Sequence, residues 1–181
     1  MEEFKHFDEL LEPDERWQHF VLRKKTTGET EPYSLRARYN TVASIELLQS
    51  VPEEIRSEYI TAKMLCVYAW LYYPFHQAAE QKAFSTLEMA LGHKYPAAKR
   101  DGLKKLLKRA ISTGAVSDSG FSHIEANDDD PMKYTRILPD IIPSLRNAIA
   151  HGEQLLHPNS AFTVRNCAEI INQLYPQSPT V

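Results

Sequence analysis

Three polar side chains near the C-terminal end of the chain have the types and the spacing needed for chemistry on a phosphodiester. The segment SLRNAIAHGEQLLHPN contains Arg146, Asn147 and His151 within six residues. On an α-helix, Asn147 and His151 are four residues apart and share a face, so the amide can hydrogen-bond to the imidazole and orient it. A histidine can move a proton near neutral pH, and an arginine can neutralise charge on a phosphate.

Arg146 and His151 do not point the same way on one helix. Five residues separate them, which corresponds to about 140° around the axis and about 7.5 Å along it. If two copies of the helix met across a two-fold axis, the arginine and histidine of both copies could line one cleft. Two guanidinium and two imidazole groups would suit a phosphodiester. The alternative is that both cations only complement the negative end of the helix dipole.

The chemistry that this cleft favours is cleavage of RNA by its own 2′-hydroxyl group. His151 would take or give the proton, and Arg146 would stabilise charge in the phosphorane-like transition state. This reaction needs no metal, and the seven histidines show no paired zinc spacing. The acidic run from Asp128 to Asp130 lacks the interleaved spacing of a calcium loop. We therefore expect neither a metal nor a cofactor.

A basic segment provides a second candidate surface. In AAKRDGLKKLLKRAISTGAV, the cations recur on what would be the exposed side of a helix. Lys104 and Lys108, and likewise Lys105 and Arg109, are four residues apart, where like charges repel slightly. Tolerance of that repulsion indicates an anionic partner such as an RNA backbone. The alternative is a solvated face that keeps the protein soluble.

Composition limits the class of protein. The chain has 181 residues, 43% of them hydrophobic, and a formal net charge of −3, so no overall positive field attracts nucleic acid. The start, MEEFKHFDEL, lacks the features of a signal peptide, and the longest apolar run, from Met64 to Phe75, is too short to span a bilayer. Cys66 and Cys167 lie in separate apolar segments without metal spacing. These features predict a cytoplasmic protein with reduced thiols and no membrane contact.

Apolar residues recur mostly at three- and four-residue intervals, as at Leu35, Tyr39 and Val42, and this spacing favours helices. The start of the chain predicts two short helices, Phe4–Leu11 and Asp14–Arg23, or alternatively a short strand through WQHFVL. The main helices are predicted at 33–49, 52–73, 75–92, 97–113, 140–151 and 160–174. The last two would form an antiparallel hairpin.

The predicted architecture is an all-α bundle of five or six main helices. We expect an N-terminal helical appendage at residues 1–32, the bundle at 33–175 and a frayed tail at 176–181. The aromatic residues between Tyr68 and Phe75 are expected in the core or in a dimer interface rather than stacked on bases. Glu80 and Glu88, on the helix that precedes the basic segment, are carboxylates that could reach the Arg146–His151 motif.

The segment LRNAIAHG resembles the R-polar-x-x-x-H signature of the HEPN superfamily, which lies on a late helix of an all-α bundle. The upstream segment FHQAAEQKAFSTLEMALGHKY is similar to an alanine-rich helix of many HEPN-like bacterial proteins. The resemblance covers roughly residues 35–175. It implies a homodimer with a composite site in which Arg146 and His151 are catalytic and Asn147 is the polar partner. It also implies a metal-independent endoribonuclease of toxin–antitoxin or anti-phage defence, with an antitoxin or defence-system partner protein.

Two other functions remain open at this point. Some HEPN-like proteins are not nucleases and only bind RNA, nucleotides or other proteins. The chain could also be a plain helical interaction domain in which the R-N-x-x-x-H spacing is coincidental. A stable dimer would favour the nuclease over the last alternative, because the composite site needs two chains.

Overall fold

The structure is a computed structural model that describes residues 3–24, 26–98, 100–125, 130–151 and 159–177. Most of this part of the chain is helical, which agrees with the predicted all-α class, but a small antiparallel sheet is also present. The α-helices are α1 (Leu35–Ala43), α2 (Glu53–Tyr68), α3 (Phe75–Lys94), α4 (Leu103–Ser112), α5 (Leu138–Ala150) and α6 (Ser160–Leu174). The strands are β1 (Val21–Arg23) and β2 (Thr30–Pro32). No helix among the described residues is long and apolar enough to cross a membrane.

The N-terminal region differs from the two helices predicted for it. It contains 3-10 turns at Phe7–Glu9 and Glu15–His19, and then the hairpin of β1 and β2, in which Val21 pairs with Pro32 and Arg23 with Thr30. The alternative strand through WQHFVL is present only in part, since Val21 and Leu22 lie in β1 while residues 17–19 lie in the second 3-10 turn. Gly28 has a φ of 75°, a conformation that glycine adopts without steric cost, and it allows the chain to turn between the strands. Helical segments this short are also unstable on their own.

The N-terminal region is held to the corner between α2 and α3. Trp17 is buried, and its indole N–H donates to the carbonyl of Ala69 at 3.0 Å. Asp14 accepts a hydrogen bond from the backbone N–H of Tyr73 at 3.0 Å, and its two carboxylate oxygens accept from Nε and Nη2 of Arg16 at 2.7 and 2.8 Å. The domain boundary predicted at residue 32 stays a prediction. The turn at Glu15–His19, which precedes this boundary, packs against the bundle.

Helix α3 lies at the centre of the bundle and packs against α2, α4, α5 and α6. Its small buried residues, Ala79, Ala83 and Ala90, let the neighbouring helices approach closely, while Phe84 and Leu87 fill the space between them. Helices α3 and α6 run in the same direction, since His76 contacts Ser160 near both N-termini and Tyr175 donates to the carbonyl of Ala90 near both C-termini.

Most helix boundaries follow the predicted pattern, and the differences have local causes. α6 covers 160–174 as predicted, and α5 starts two residues earlier than expected. α1 ends at Ala43 rather than near residue 49, and the chain after it is tied to α6 because Asn172 accepts from the Leu48 N–H at 2.9 Å. α4 starts at Leu103 because Gly102 has extended backbone angles, φ −70° and ψ 163°, and so serves as its N-cap. The segment predicted to turn between α5 and α6, 152–158, lies outside the described residues.

A buried polar cluster joins α1, α2, α3 and α6. Arg38 is 2% exposed, and its guanidinium donates to the Cys66 carbonyl at 2.6 Å and lies 4.8 Å from the Trp17 ring centroid. The Ser160 hydroxyl lies 2.6 Å from Nδ1 of His76 and 3.2 Å from Sγ of Cys66. All four polar residues of this cluster are fully or almost fully buried. Burial raises the pKa of the Cys66 thiol, although Arg38 and Ser160 oppose the shift.

Candidate functional site

Helix α5, which carries the predicted catalytic residues, is fixed at its N-terminal end. Leu138, Pro139 and Ile142 are buried against the bundle, and Pro139 lies in the first turn, where its missing N–H is tolerated. The chain entering the helix is held by Asp118, which accepts the backbone N–H groups of Tyr134 and Thr135 at 2.8 and 2.7 Å. Burial alone would raise the pKa of Asp118, but these bonds produce a net lowering.

The three predicted site residues lie at the opposite, solvent-exposed end of α5. Arg146 and Asn147 are in the last two turns, and His151 is the C-cap, with its backbone N–H donating to the Asn147 carbonyl at 2.9 Å. All three side chains are exposed. The amide of Asn147 accepts from Nη1 of Arg146 at 3.2 Å, so the structure pairs it with the arginine rather than with the predicted histidine.

A carboxylate on α3 also contacts the motif. Nη2 of Arg146 lies 3.4 Å from Oε2 of Glu88, with both side chains partly exposed. The structure thus brings one of the two carboxylates considered from the sequence to the motif arginine. The other, Glu80, is buried, and it accepts a hydrogen bond from Thr163 of α6 at 2.7 Å. An exposed ion pair such as Arg146–Glu88 contributes little to stability, so a phosphate can displace the carboxylate at small cost.

A cleft of about 370 Å³ adjoins this ion pair. Glu88 forms part of its wall, together with Glu54 of α2, His93 of α3 and the apolar side chains of Met89 and Leu106. Oε1 of Glu54 lies 3.9 Å from Nε2 of His93. The cleft thus offers carboxylates and apolar surface close to the arginine, and it was not predicted from the sequence because its residues come from three helices.

The basic helix α4 packs against α5, but its cations differ in their partners. Lys104 lies 2.6 Å from Asp140 of α5, and Lys105 lies 3.7 Å from Asp101. The Lys104 ammonium lowers the pKa of the Asp140 carboxyl. For Lys108 and Arg109, both exposed, no carboxylate lies within 4 Å among the described residues. These two cations are therefore the members of the predicted RNA-binding group that remain available to an anionic partner.

An apolar stripe runs along the exposed side of α5. Ile137, just before the helix, and Ile141 and Leu145 within it are 45%, 43% and 42% exposed and are spaced four residues apart. By helical geometry His151 lies about 40° around the axis from Ile137, about 80° from Ile141 and about 120° from Leu145. His151 is thus at one side of the stripe, whereas Arg146 projects toward Glu88 on the α3 side.

The structure also shows the positions of the aromatic and acidic residues that the sequence offered as candidates. Of the aromatic residues from Tyr68 to Phe75, Trp70 and Tyr73 pack in the corner around Trp17, with ring centroids 5.5 and 5.3 Å from its own, whereas Tyr68 and Phe75 are exposed. Asp130 pairs with Arg136 at 2.9 Å, while Asp128 and Asp129 lie outside the described residues. Within the described ranges, no three His, Cys, Asp or Glu side chains are grouped as metal ligands would be.

Comparison of the chain with protein-family models, with curated proteins and with solved structures finds no match in any of the three.

Proposed function

We propose that the protein is a cytoplasmic, homodimeric, metal-independent endoribonuclease of HEPN type, with its active site between two α5 helices. The observation that carries the proposal is the exposure of Arg146 and His151 at one end of α5, on a helix whose free face bears the apolar stripe of Ile137, Ile141 and Leu145. Burial of that stripe by a second copy would bring the two helix ends together when the two-fold axis runs along α5, because the two helices then pack in parallel. The resemblance of LRNAIAHG to the R-polar-x-x-x-H signature supports a toxin–antitoxin or anti-phage setting, with an antitoxin or defence-system protein as partner.

The proposed reaction is transesterification within the RNA chain. The 2′-hydroxyl attacks the neighbouring phosphorus and loses its proton to a base, the P–O5′ bond breaks, and an acid protonates the 5′-oxygen. The products are a 2′,3′-cyclic phosphate and a 5′-hydroxyl. His151 acts as base or acid, and Arg146 stabilises charge on the non-bridging oxygens. Lys108 and Arg109 hold the flanking backbone.

A cleavage assay on structured and unstructured RNA tests this proposal. We expect Arg146→Ala and His151→Ala each to lower the rate by about 10²-fold or more, while Arg36→Ala and His19→Ala, which replace exposed residues elsewhere, leave it unchanged. A 2′-deoxy nucleotide at the scissile position should block cleavage, and EDTA should not. Full activity of a folded His151→Ala protein would contradict the proposal.

The composite geometry has its own test, because Arg146 and His151 of one chain diverge. Mixing the two inactive variants, Arg146→Ala and His151→Ala, produces heterodimers in which one of the two cross-chain arginine–histidine pairs of the shared cleft is intact, with the arginine from one chain and the histidine from the other. Activity should therefore reappear on mixing, at about a quarter of the wild-type level for random exchange. If mixing restores nothing while the heterodimer is shown to form, both residues act from one chain.

The pairing of Asn147 with Arg146 favours a second candidate function, a non-catalytic module that binds RNA, nucleotides or protein. In that case the amide and Glu88 would fix the arginine for binding, and His151 would have no role in proton transfer. Binding of RNA that survives His151→Ala, with no cleavage by the wild type, would support this function over the nuclease.

A further inference from the structure

A second cleft, of about 350 Å³, lies on another side of the bundle, where the connection after α1 meets α6. Its wall includes the connection residues Ser44, Ile45 and Glu46, and on α6 it includes Arg165 and Ala168. Ile45 and Ala168 are buried and give the cleft an apolar floor. The volume falls within the range of small-molecule sites, roughly 300–1,000 Å³.

Hydrogen bonds hold the walls of this cleft in place. Asn172 uses both ends of its amide, accepting from the Leu48 N–H at 2.9 Å and donating to the Glu46 carbonyl at 2.9 Å. Glu169 accepts from the N–H of Ser122 at 3.2 Å and from its hydroxyl at 2.5 Å. These bonds join α6 to two separate loops, so the cleft exists before any ligand binds.

Arg165 is the cation of the cleft, and it has donors to spare. It lies four residues before Glu169 on α6, a spacing at which the two charges commonly pair. Here Glu169 is bound by Ser122 instead, and the Arg165 guanidinium makes one long hydrogen bond, to the Ser44 hydroxyl at 3.4 Å. Among the described residues no carboxylate lies within 4 Å of it.

Glu46 is the anion of the same cleft, and its carboxylate is also available. The side chain is exposed, and in the described part of the chain no cation lies within 4 Å of it. Burial lowers the pKa of the Lys63 ammonium on α2, and the charge of Glu46 opposes this shift. The Lys63 ammonium donates a hydrogen bond to the carbonyl of Ala43 at 3.3 Å. The cleft therefore presents the guanidinium of Arg165 and the carboxylate of Glu46, both with unused capacity, above an apolar floor. A second carboxylate in its wall, that of Glu169, is bound by Ser122.

We propose that this cleft binds a small zwitterion of the free α-amino acid class, with an apolar side chain. The ligand carboxylate takes the spare N–H donors of Arg165, for which a guanidinium is the matching fork. The ligand ammonium is held by Glu46, and the side chain rests on Ile45 and Ala168. The proposal is independent of the nuclease site, which lies on α5.

Isothermal titration calorimetry on the whole protein tests this proposal with three matched probes. L-Leucine carries both charges, 2-hydroxy-4-methylpentanoate lacks the ammonium, and 3-methylbutylamine lacks the carboxylate. We expect saturable binding of leucine in the millimolar range or tighter, and at least tenfold weaker binding of the other two. Leucine should also shift the NMR amide signals of Ser44, Ile45 and Ser122.

Variants separate the cleft from non-specific binding. Arg165→Gln and Glu46→Gln should each weaken leucine binding at least tenfold, while Glu53→Gln, which removes an exposed carboxylate outside the cleft, should leave it unchanged. Far-UV circular dichroism and Tm establish that each variant is folded. The proposal is overturned if leucine and a panel of other apolar amino acids show no saturable binding, if the hydroxy acid binds as tightly as leucine, or if the Arg165→Gln protein binds leucine like the wild type.

Discussion

The molecule contains two arginine–histidine pairs in opposite environments. Arg38 and His76 are 2% and 1% exposed, and they share the polar cluster with Cys66 and Ser160. Arg146 and His151 are exposed at the end of α5, where the arginine contacts Asn147 at 3.2 Å and Glu88 at 3.4 Å among the described residues. The same side-chain chemistry is thus bound to the fold at one place and left open to solvent at the other.

This difference separates a structural use of the two residue types from the functional use that we propose for the exposed pair. A buried guanidinium must find acceptors within the protein, because desolvation without them is costly. An exposed guanidinium keeps its donors for a ligand, at a small cost in stability. Substitutions at the buried pair should therefore reduce the free energy of unfolding, whereas substitutions at the exposed pair should reduce activity alone.

Arg38→Ala should have the largest effect on stability. It removes the contact with the Trp17 ring and leaves the Cys66 carbonyl without its 2.6 Å donor, in addition to creating a cavity. We expect the free energy of unfolding to fall by about 3 kcal/mol, as measured by urea denaturation. Arg36→Ala on the exposed side of the same helix serves as the control. Equal stabilities of the two variants would show that the buried Arg38 does not stabilise the fold.

Ser160→Ala should have the next largest effect. It removes the hydroxyl shared by His76 and Cys66, and a buried ring nitrogen then loses this partner. The expected loss is about 2 kcal/mol. Ser57→Ala, an exposed position on α2, should change stability by less than about 0.5 kcal/mol. If thermal and urea denaturation give the Ser160→Ala protein the same stability as the Ser57→Ala control, the cluster does not stabilise the fold.

Asp14→Asn extends the comparison to the corner next to His76. Burial would raise the pKa of Asp14, but hydrogen bonds from Arg16 and from the Tyr73 N–H make the net shift a lowering. A lowered folded-state pKa stabilises the protein above the unfolded value, and this contribution disappears as pH falls through the folded value. We expect a difference of about 1–2 kcal/mol between wild type and variant at pH 7, shrinking below about pH 4.

The measurement for Asp14 is urea denaturation from pH 7 to pH 3. Asp8→Asn is the matched control, since Asp8 lies in an exposed turn. A difference between wild type and Asp14→Asn that stays constant over this range would show that the charge of Asp14 is not what stabilises the corner.

Arg146→Ala and His151→Ala should have the smallest effects on stability, less than about 0.5 kcal/mol each. Both side chains are exposed, and helix α5 is held by buried residues at its other end. Parallel measurements of Tm and of RNA cleavage on the same preparations check this expectation. A large loss of stability would show that Arg146 and His151 stabilise the fold as Arg38 and His76 do, and it would weaken the functional interpretation of the motif.

The sequence predicted the helical class, the extent of α6 and the position of the Arg146–His151 motif near the end of α5. It did not predict which face of α1 is buried. The apolar spacing of Leu35 and Tyr39 indicated an inward face, yet these residues are 44% and 51% exposed, and Arg38 is buried instead. Hydrophobic periodicity cannot identify a buried arginine, because the acceptors that stabilise it come from other segments of the chain.

The tertiary contacts of the motif also could not be predicted from local sequence patterns. Glu88 was one of two carboxylates considered, and only the packing of α5 on α3 distinguishes it from Glu80, which faces α6. The same holds for Asn147, since helical spacing allowed a bond to His151 but the amide oxygen accepts from Arg146 at 3.2 Å. Spacing along one helix determines which residues share a face, and tertiary contacts determine which partner each selects.

The two buried cysteines allow the opening of the bundle to be measured. Cys66 and Cys167 are free, fully buried thiols in α2 and α6, and burial raises the pKa of both. A thiol reacts with alkylating agents only as the exposed thiolate. Modification therefore has to wait for each helix to expose its cysteine, and the labelling rate at each position reports the free energy of that opening. Comparison of the two rates, by mass spectrometry, would show whether α2 and α6 separate from the bundle as one unit or one after the other.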